Sequence, residues 1–320
     1  MTELITFGET PIRVSPPWAR QFETAAEAEL HADGTESNVA VAAACLGADC
    51  TWISKLPDTA PGRRIVRALQ QRGVETEVGW VEDTGARLGV VYHEDAAEPR
   101  SAGTWHDRDR TTAATMAPGD VPMELVQNAE IIFTGATVPS LSDAAFETAE
   151  ALHRAGGGAG ATTALDLDLQ PGHRDADALR DTVLRLTEHL DVLFANEETA
   201  RSVLNRTGKP RELANGIAAE HDLEMVVVTR SEIGAVVLHD KPGTNVIHER
   251  KSLDTEVVDT TGQHEALVGG FLQRLLSKGD AAEALTCGVA MAALARTVPG
   301  PLLTVDPAQV DAVAEDVETP

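Results

Sequence analysis

Apolar positions in this chain fall into two alternating kinds of segment. ELITF (3–7), TWIS (51–54), IIFTG (131–135), TALDLDL (163–169), DVLFAN (191–196) and MVVVTR (225–230) are short apolar-rich runs, the pattern of buried strands. Longer stretches between them carry helical spacing: 36–48, alanine-rich and closed near Gly47; 61–73, with Pro61 and Gly62 near its start and Gly73 after its end; then 140–155, 175–189 and 210–221. Strands alternating with helices predict an α/β fold with a mostly parallel central sheet and helices on both faces. Segments 10–33 and 85–115 break the rhythm with short β-like pieces (PIRVS, ARLGVVYHE, SAGTWH) and no long helix between them. The run Gly156–Gly160 lacks the Lys and Ser/Thr of a phosphate loop and precedes a strand, so it reads as a flexible helix–strand connection. The acidic tail Asp311–Pro320 reads as poorly ordered, and no internal repeat is present.

The most informative stretch is VVDTTGQHEALVGGFLQRLL, residues 257–276. Val257 and Val258 read as the end of a strand, Asp259-Thr260-Thr261-Gly262 as a turn, and Ala266–Leu276 as a helix with Leu267, Phe271 and Leu275 on one face. Such a strand–turn–helix aims the free N–H groups and positive dipole end of the helix at the turn, which suits an anion. A carboxylate in the first turn, here Glu265, is placed to take a proton from a substrate hydroxyl.

Charge narrows the possible partners. The chain carries 51 Asp and Glu against 26 Lys and Arg, a net charge of −25. A surface this acidic repels nucleic acid and anionic membrane. The acids are spread along the chain rather than gathered into a tail, which favours solvation in high salt over attraction to a basic partner. With only 3% aromatic residues, the core must be filled by Val, Leu, Ile and Ala. Cys45, Cys50 and Cys287 are too few and too badly spaced for a disulfide framework or a metal site. With no leader-like segment and no apolar run of about 18 residues, the expectation is a cytoplasmic protein.

The 257–276 stretch resembles the C-terminal signature of the PfkB (ribokinase-like) sugar kinases, which usually reads DTxGAGDxF. The N-terminal third, with its opening GE, R-x-S-P-P stretch and DGTESNVA turn, resembles 2-keto-3-deoxygluconate kinases. The resemblance continues in family order through WHDRDRTTAA, FTGATVPSLS, LDLDLQPG, LFANEETA and VVVTRSEIGAVVLHD, and covers roughly the whole chain. It implies one ribokinase-like domain over 1–320, a three-layer sandwich with a mostly parallel central sheet. Segments 10–33 and 85–115 would form a small β lid over the sugar, a surface through which such kinases commonly dimerise. It also implies transfer of the ATP γ-phosphoryl group, with Mg2+, to a hydroxyl of a sugar or sugar acid, first among them 2-keto-3-deoxygluconate.

By the same resemblance, Glu265 is the general base, and Gly262, Gln263 and His264 build the anion-binding turn. Gly34, Asn38, Arg108, Asp166 and Gln170 would meet the sugar, Arg108 by a guanidinium fork on its carboxylate, with Trp105 or His106 as an aromatic wall. Asn196, Thr229, Ser231, Gly234 and Asp259 would serve the nucleotide, and Arg230 would sit over a phosphate or the adenine edge. No resident metal ligands are assigned.

Several positions depart from the family pattern: Asp33 for the first Gly of a pair, Asp168 for Asn, Gln170 for Arg, Thr199 for Glu, Ser231 for Gly, and Gln263-His264 for Ala-Gly. His264 either crowds the backbone donors, each worth ~2.7–4 kcal/mol or ~100–1,000-fold in rate, or donates to the phosphate as imidazolium. The alternative to a working kinase is a kinase-shaped protein that binds a sugar acid or nucleotide without turnover.

Overall fold

Alternating side chains in the central strands divide the interior into two apolar layers. Val192 and Phe194 pack on one side with Trp52, Phe133 and Phe271, while Leu193 and Ala195 pack on the other with Leu165, Leu186 and Ile217. Strands buried on both faces are what a covered parallel sheet requires. The computed structural model describes residues 2–167, 169–170, 175–230, 233–241 and 243–317. In chain order it places β1 (Leu4–Phe7), β2 (Ile12–Ser15), β3 (Glu29–Ala32), α1 (Thr35–Cys45), β4 (Cys50–Pro57), α2 (Ala60–Gln70) and β5 (Glu75–Val81). Next come β6 (Val90–Glu94), β7 (Gly103–Asp107), α3 (Met123–Gln127), β8 (Ile131–Gly135), α4 (Asp143–Ala159), β9 (Thr162–Asp166), α5 (Ala176–Leu186) and β10 (Val192–Asn196). The remainder is α6 (Glu197–Val203), α7 (Pro210–His221), β11 (Met225–Thr229), β12 (Gly234–Lys241), β13 (Thr244–Lys251), α8 (Gln263–Leu276), α9 (Ala281–Ala295) and α10 (Pro307–Glu315).

Nine strands form one sheet in the order β13-β12-β11-β10-β9-β8-β1-β4-β5, with β12 antiparallel to both β11 and β13 and every other pair parallel. Leu4 pairs with Cys50 on one side and Ile131 on the other. Chain order therefore reverses between β1 and β8, and in open α/β sheets ligands bind beyond the carboxyl ends of strands at such a switch point. α1, α8 and α9 cover one face; α4, α5 and α7 cover the other. A second sheet, β3-β2-β6-β7, is built wholly from segments 10–33 and 85–115. Its outer side exposes Tyr92 and Trp105, with Phe22 edge-on to both.

Three expectations are corrected. Val257 and Val258 end no strand: β13 stops at Lys251, both valines are about half exposed, and the Val258 N–H donates to Arg296 O at the end of α9. The glycine run is not a loop. α4 continues through it because its buried face extends from Leu152 to Gly156, and it closes at Gly160 with φ +97°. The tail holds a helix to Glu315, because Asp306 and Gln309 form a capping box around Pro307 and Val310 is buried. No helix among the described residues is long and apolar enough to cross a membrane. All three cysteines are free, and burial pushes the Cys50 thiol well above its ordinary range.

Candidate active site

The carboxyl ends of five parallel strands converge on the N-terminus of α8. β1 delivers Glu9 just beyond its end, β9 ends at Asp166, β10 at Asn196 and β11 at Thr229, while β8 ends at Gly135, whose N–H donates to the buried Glu36 carboxylate at 2.9 Å. α8 begins at Gln263, three residues before the expected start, so His264 and Glu265 lie in its first turn. Its N-cap, Gly262, offers no side chain to the first-turn N–H groups and adopts φ +76°. A Cβ there would stand 2.5 Å from Pro301 O, so both conformation and space require glycine. An uncapped helix N-terminus is a site for an anion.

Two cavities meet at this helix start. The larger, about 500 Å³, lies between the two sheets and is lined by Glu9, Arg13, Arg108, Gln170, Gly262 and Glu265 among others. The smaller, about 210 Å³, is lined by Asn196, Thr229, Gly234, Gln263, His264 and Leu267. Glu265 thus faces one cavity while its neighbours Gln263 and His264 face the other.

In the larger cavity the Arg108 guanidinium is buried and bound through Nε and Nη2 to Glu9 Oε2, at 2.9 and 2.8 Å, while Nη1 donates to Gln170 Oε1. Gln170, standing where an arginine was expected, therefore orients Arg108. Arg13, also buried, donates from Nη1 to Thr261 Oγ1 at 2.8 Å and lies 3.6 Å from Asp33. Gly34 caps α1 and lines the cavity; a Cβ on it would meet Glu9 O at 2.4 Å. Asn38 is buried one turn further on, where its Nδ2 donates to Asp33, and is not among the lining residues. Of the two residues expected as an aromatic wall, His106 lines the cavity, together with His93, while Trp105 points to the opposite side of β7. Glu9 Oε1, on the lining of this cavity, is buried without a hydrogen-bond partner, as are Asn38 Oδ1 and Asp166 Oδ1, which line neither cavity. Buried polar atoms are normally satisfied, so such oxygens fit hydroxyl groups or a hydrated cation.

His264, on the wall of the smaller cavity, is braced by the ends of two strands. Nε2 is 2.9 Å from Asp166 Oδ2, and Nδ1 is 3.2 Å from Thr229 Oγ1. The imidazole is thus held on both nitrogens by strand-end residues. In the smaller cavity, Asn196 also caps α6 by accepting from Thr199 N at 2.8 Å. Thr199 is buried, and Glu197 is paired with Arg201 at 2.6 Å. Asp259 lines neither cavity. It braces the turn by accepting from Thr261 N and Gly300 N, both at 2.9 Å. Burial would raise its carboxyl, but these donors and the Arg13 charge outweigh burial and hold it below the usual carboxylate range. Arg230 is committed to Glu249 at 2.6 Å rather than to the smaller cavity. Ser231 and Asp168 lie outside the described residues. Among the described residues no cluster of His, Cys, Asp and Glu could hold a metal by itself.

Glu9, Arg13 and Glu36 are the site-forming residues that motif reading left unassigned. Glu9 stands in the opening GE and Arg13 in R-x-S-P-P, but neither partner of either is near in sequence.

A family model described as pfkB family carbohydrate kinase matches residues 1–307. The 2-dehydro-3-deoxygalactonokinase of Haloferax volcanii is 40% identical over 311 residues, covering 97% of this chain and 96% of that protein. The 2-dehydro-3-deoxygluconokinase of Thermoproteus tenax is 28% identical over 303 residues, covering 94% of this chain and 90% of that one. In fold, the chain is similar to the crystal structure of 2-dehydro-3-deoxygluconokinase from Thermotoga maritima, with TM-score 0.87, 21% identity, and coverage of 98% of this chain and 100% of that one. It is likewise similar to a putative ribokinase II from E. coli in complex with ATP and Mg2+, with TM-score 0.86, 16% identity, and coverage of 99% and 100%.

Proposed function

Because the chain belongs to the pfkB family of carbohydrate kinases, ATP-dependent phosphotransferases that act on hydroxyl groups, we propose that its acceptor is a 2-keto-3-deoxy sugar acid. The gluconate form is the first candidate. The observation that carries this reading is the meeting of two cavities at α8, with Glu265 on the side of the two buried arginines and Gln263 and His264 on the other.

In this reading the sugar acid occupies the larger cavity, its carboxylate near Arg13 and Arg108. Glu9 and Gln170 use three of the Arg108 N–H donors and leave two for a ligand. Glu265 takes the proton from a primary hydroxyl as its oxygen attacks the γ-phosphorus, and the bond to the β-phosphate oxygen breaks to release ADP. The first-turn N–H groups of α8 face the charge that spreads over the transferring phosphoryl group. Asp166, with one oxygen on His264 and the other unpartnered, fits the role of holding hydrated Mg2+, together with Asn196. Magnesium, when bound, neutralises phosphate charge. The names of two relatives, both kinases of 2-dehydro-3-deoxy sugar acids, support the acceptor class. The exposed aromatic side of the small sheet supports a homodimer through this lid.

Initial rates of ADP formation in molar KCl with Mg2+ test the acceptor. The expected result is turnover with 2-keto-3-deoxygluconate or its galactonate epimer and at least ~100-fold lower kcat/KM with a neutral hexose, since losing a charge-assisted pair costs about 3 kcal/mol. Equal rates with the neutral sugar would refute the sugar-acid reading. Sugar binding without any turnover would return the non-catalytic alternative.

A further inference from the structure

A third cavity, of about 480 Å³, lies away from both of these, between α2, β3 and the 299–302 loop. We infer that it binds a phosphate-bearing small molecule. Its wall carries Arg63, Arg64, Arg67, Arg72 and His31, and among the described residues none of its lining side chains is Asp or Glu. Acids outnumber bases 51 to 26 in this chain, so an acid-free wall with four arginines runs against the whole composition.

Ordinary helix electrostatics does not account for the cluster. A cation at a helix C-terminus complements the dipole, which suits Arg67 and Arg72 near the end of α2. Arg63 and Arg64 stand near the opposite end, four and five residues into the helix, where a cation opposes the dipole and no acid occupies the first turn. Intramolecular pairing does not explain it either. Arg63 is paired with Asp58, and Arg64 donates to Leu30 O at 2.9 Å. Arg67 has no ion pair or side-chain hydrogen bond among the described residues, and Arg72 Nε is buried without a partner. Guanidinium groups left with unused donors around one concavity match phosphate oxygens, which accept paired N–H donors. The volume exceeds that of a bare phosphate and falls in the range of small-molecule sites.

The position gives the site a route to the catalytic turn. The 299–302 loop supplies Gly300 N to Asp259 and Pro301 O against Gly262, and β3, which carries His31, belongs to the lid sheet. A ligand held here would contact the loop packed against Gly262 and the strand that leads into Asp33, two residues that line the larger cavity. That regulatory consequence rests on the kinase reading; the binding itself does not.

Inorganic pyrophosphate is the probe, titrated calorimetrically into the full chain with a non-hydrolysable ATP analogue saturating the nucleotide site. The double variant Arg64→Ala/Arg67→Ala is the comparison, its fold checked by circular dichroism. The site predicts one bound equivalent in the wild type, weakened at least ~10-fold in the variant. Wild type without such an equivalent, or binding equal in the two proteins, would overturn the proposal. A variant that loses self-association while retaining pyrophosphate would overturn it in favour of a protein contact. A pyrophosphate-dependent shift in sugar KM, present in the wild type and absent in the variant, reads the regulatory step separately; an unchanged KM would limit the site to binding.

Discussion

At the residue scale, His264 is the main departure from the family pattern, and its contacts give it a role. Neither reading drawn from the sequence, steric crowding or donation to phosphate, includes what the fold provides: Asp166 and Thr229 at the ends of two strands 63 residues apart in the chain, both within reach of one imidazole. Removing the ring leaves a buried carboxylate whose other oxygen already lacks a partner. An orphaned buried polar group costs about 1–3 kcal/mol. His264→Ala should therefore lower unfolding stability by that amount in a urea titration and lower kcat/KM by at least ~10-fold. A variant of unchanged stability with a raised kcat would mean that the ring only obstructs the turn. Arg108 teaches the same lesson about sequence distance. Its identity as a cavity residue was readable from WHDRDRTTAA, but its clamp by Glu9 joins residues 99 apart and becomes visible only in the fold.

At the element scale, the strands and helices of the sandwich were readable because each has a buried face of the right period, as in IIFTG at β8 and 210–221 at α7. The failures occur where local chemistry competes. Val257 and Val258 have strand-forming side chains, but the backbone there is tied to the end of α9 rather than to a neighbouring strand. The glycines of α4 are weak helix formers individually, yet tertiary burial of one face holds the helix to its end. The small sheet presents the third element-level feature. Trp105 and Tyr92 are 54% and 39% exposed on one face beside Phe22, more aromatic surface than a solvated sheet needs in a chain this poor in aromatics. If the lid dimerises through this face, sedimentation should find a dimer for the wild type and a monomer for Trp105→Glu. A wild-type monomer at micromolar concentration would refute it.

At the scale of the whole molecule, an acidic chain sets arginines together at two cavities: Arg13 and Arg108, both buried, in the larger one, and Arg63, Arg64, Arg67 and Arg72, the first three exposed, around the third. Net charge was evident from composition, whereas this distribution was not, because α2 and the 299–302 loop are far apart in sequence and meet only through the fold. The reversal of strand order between β1 and β8 then brings the two cavities to one helix terminus. The central claim is that phosphoryl transfer occurs there with Glu265 as base, and Glu265→Gln tests it most directly. Single-turnover ADP formation with 2-keto-3-deoxygluconate and Mg2+ should fall ~100- to 10,000-fold, while sugar affinity measured by calorimetry stays within a few-fold of wild type. Turnover at the wild-type rate in Glu265→Gln would contradict the account.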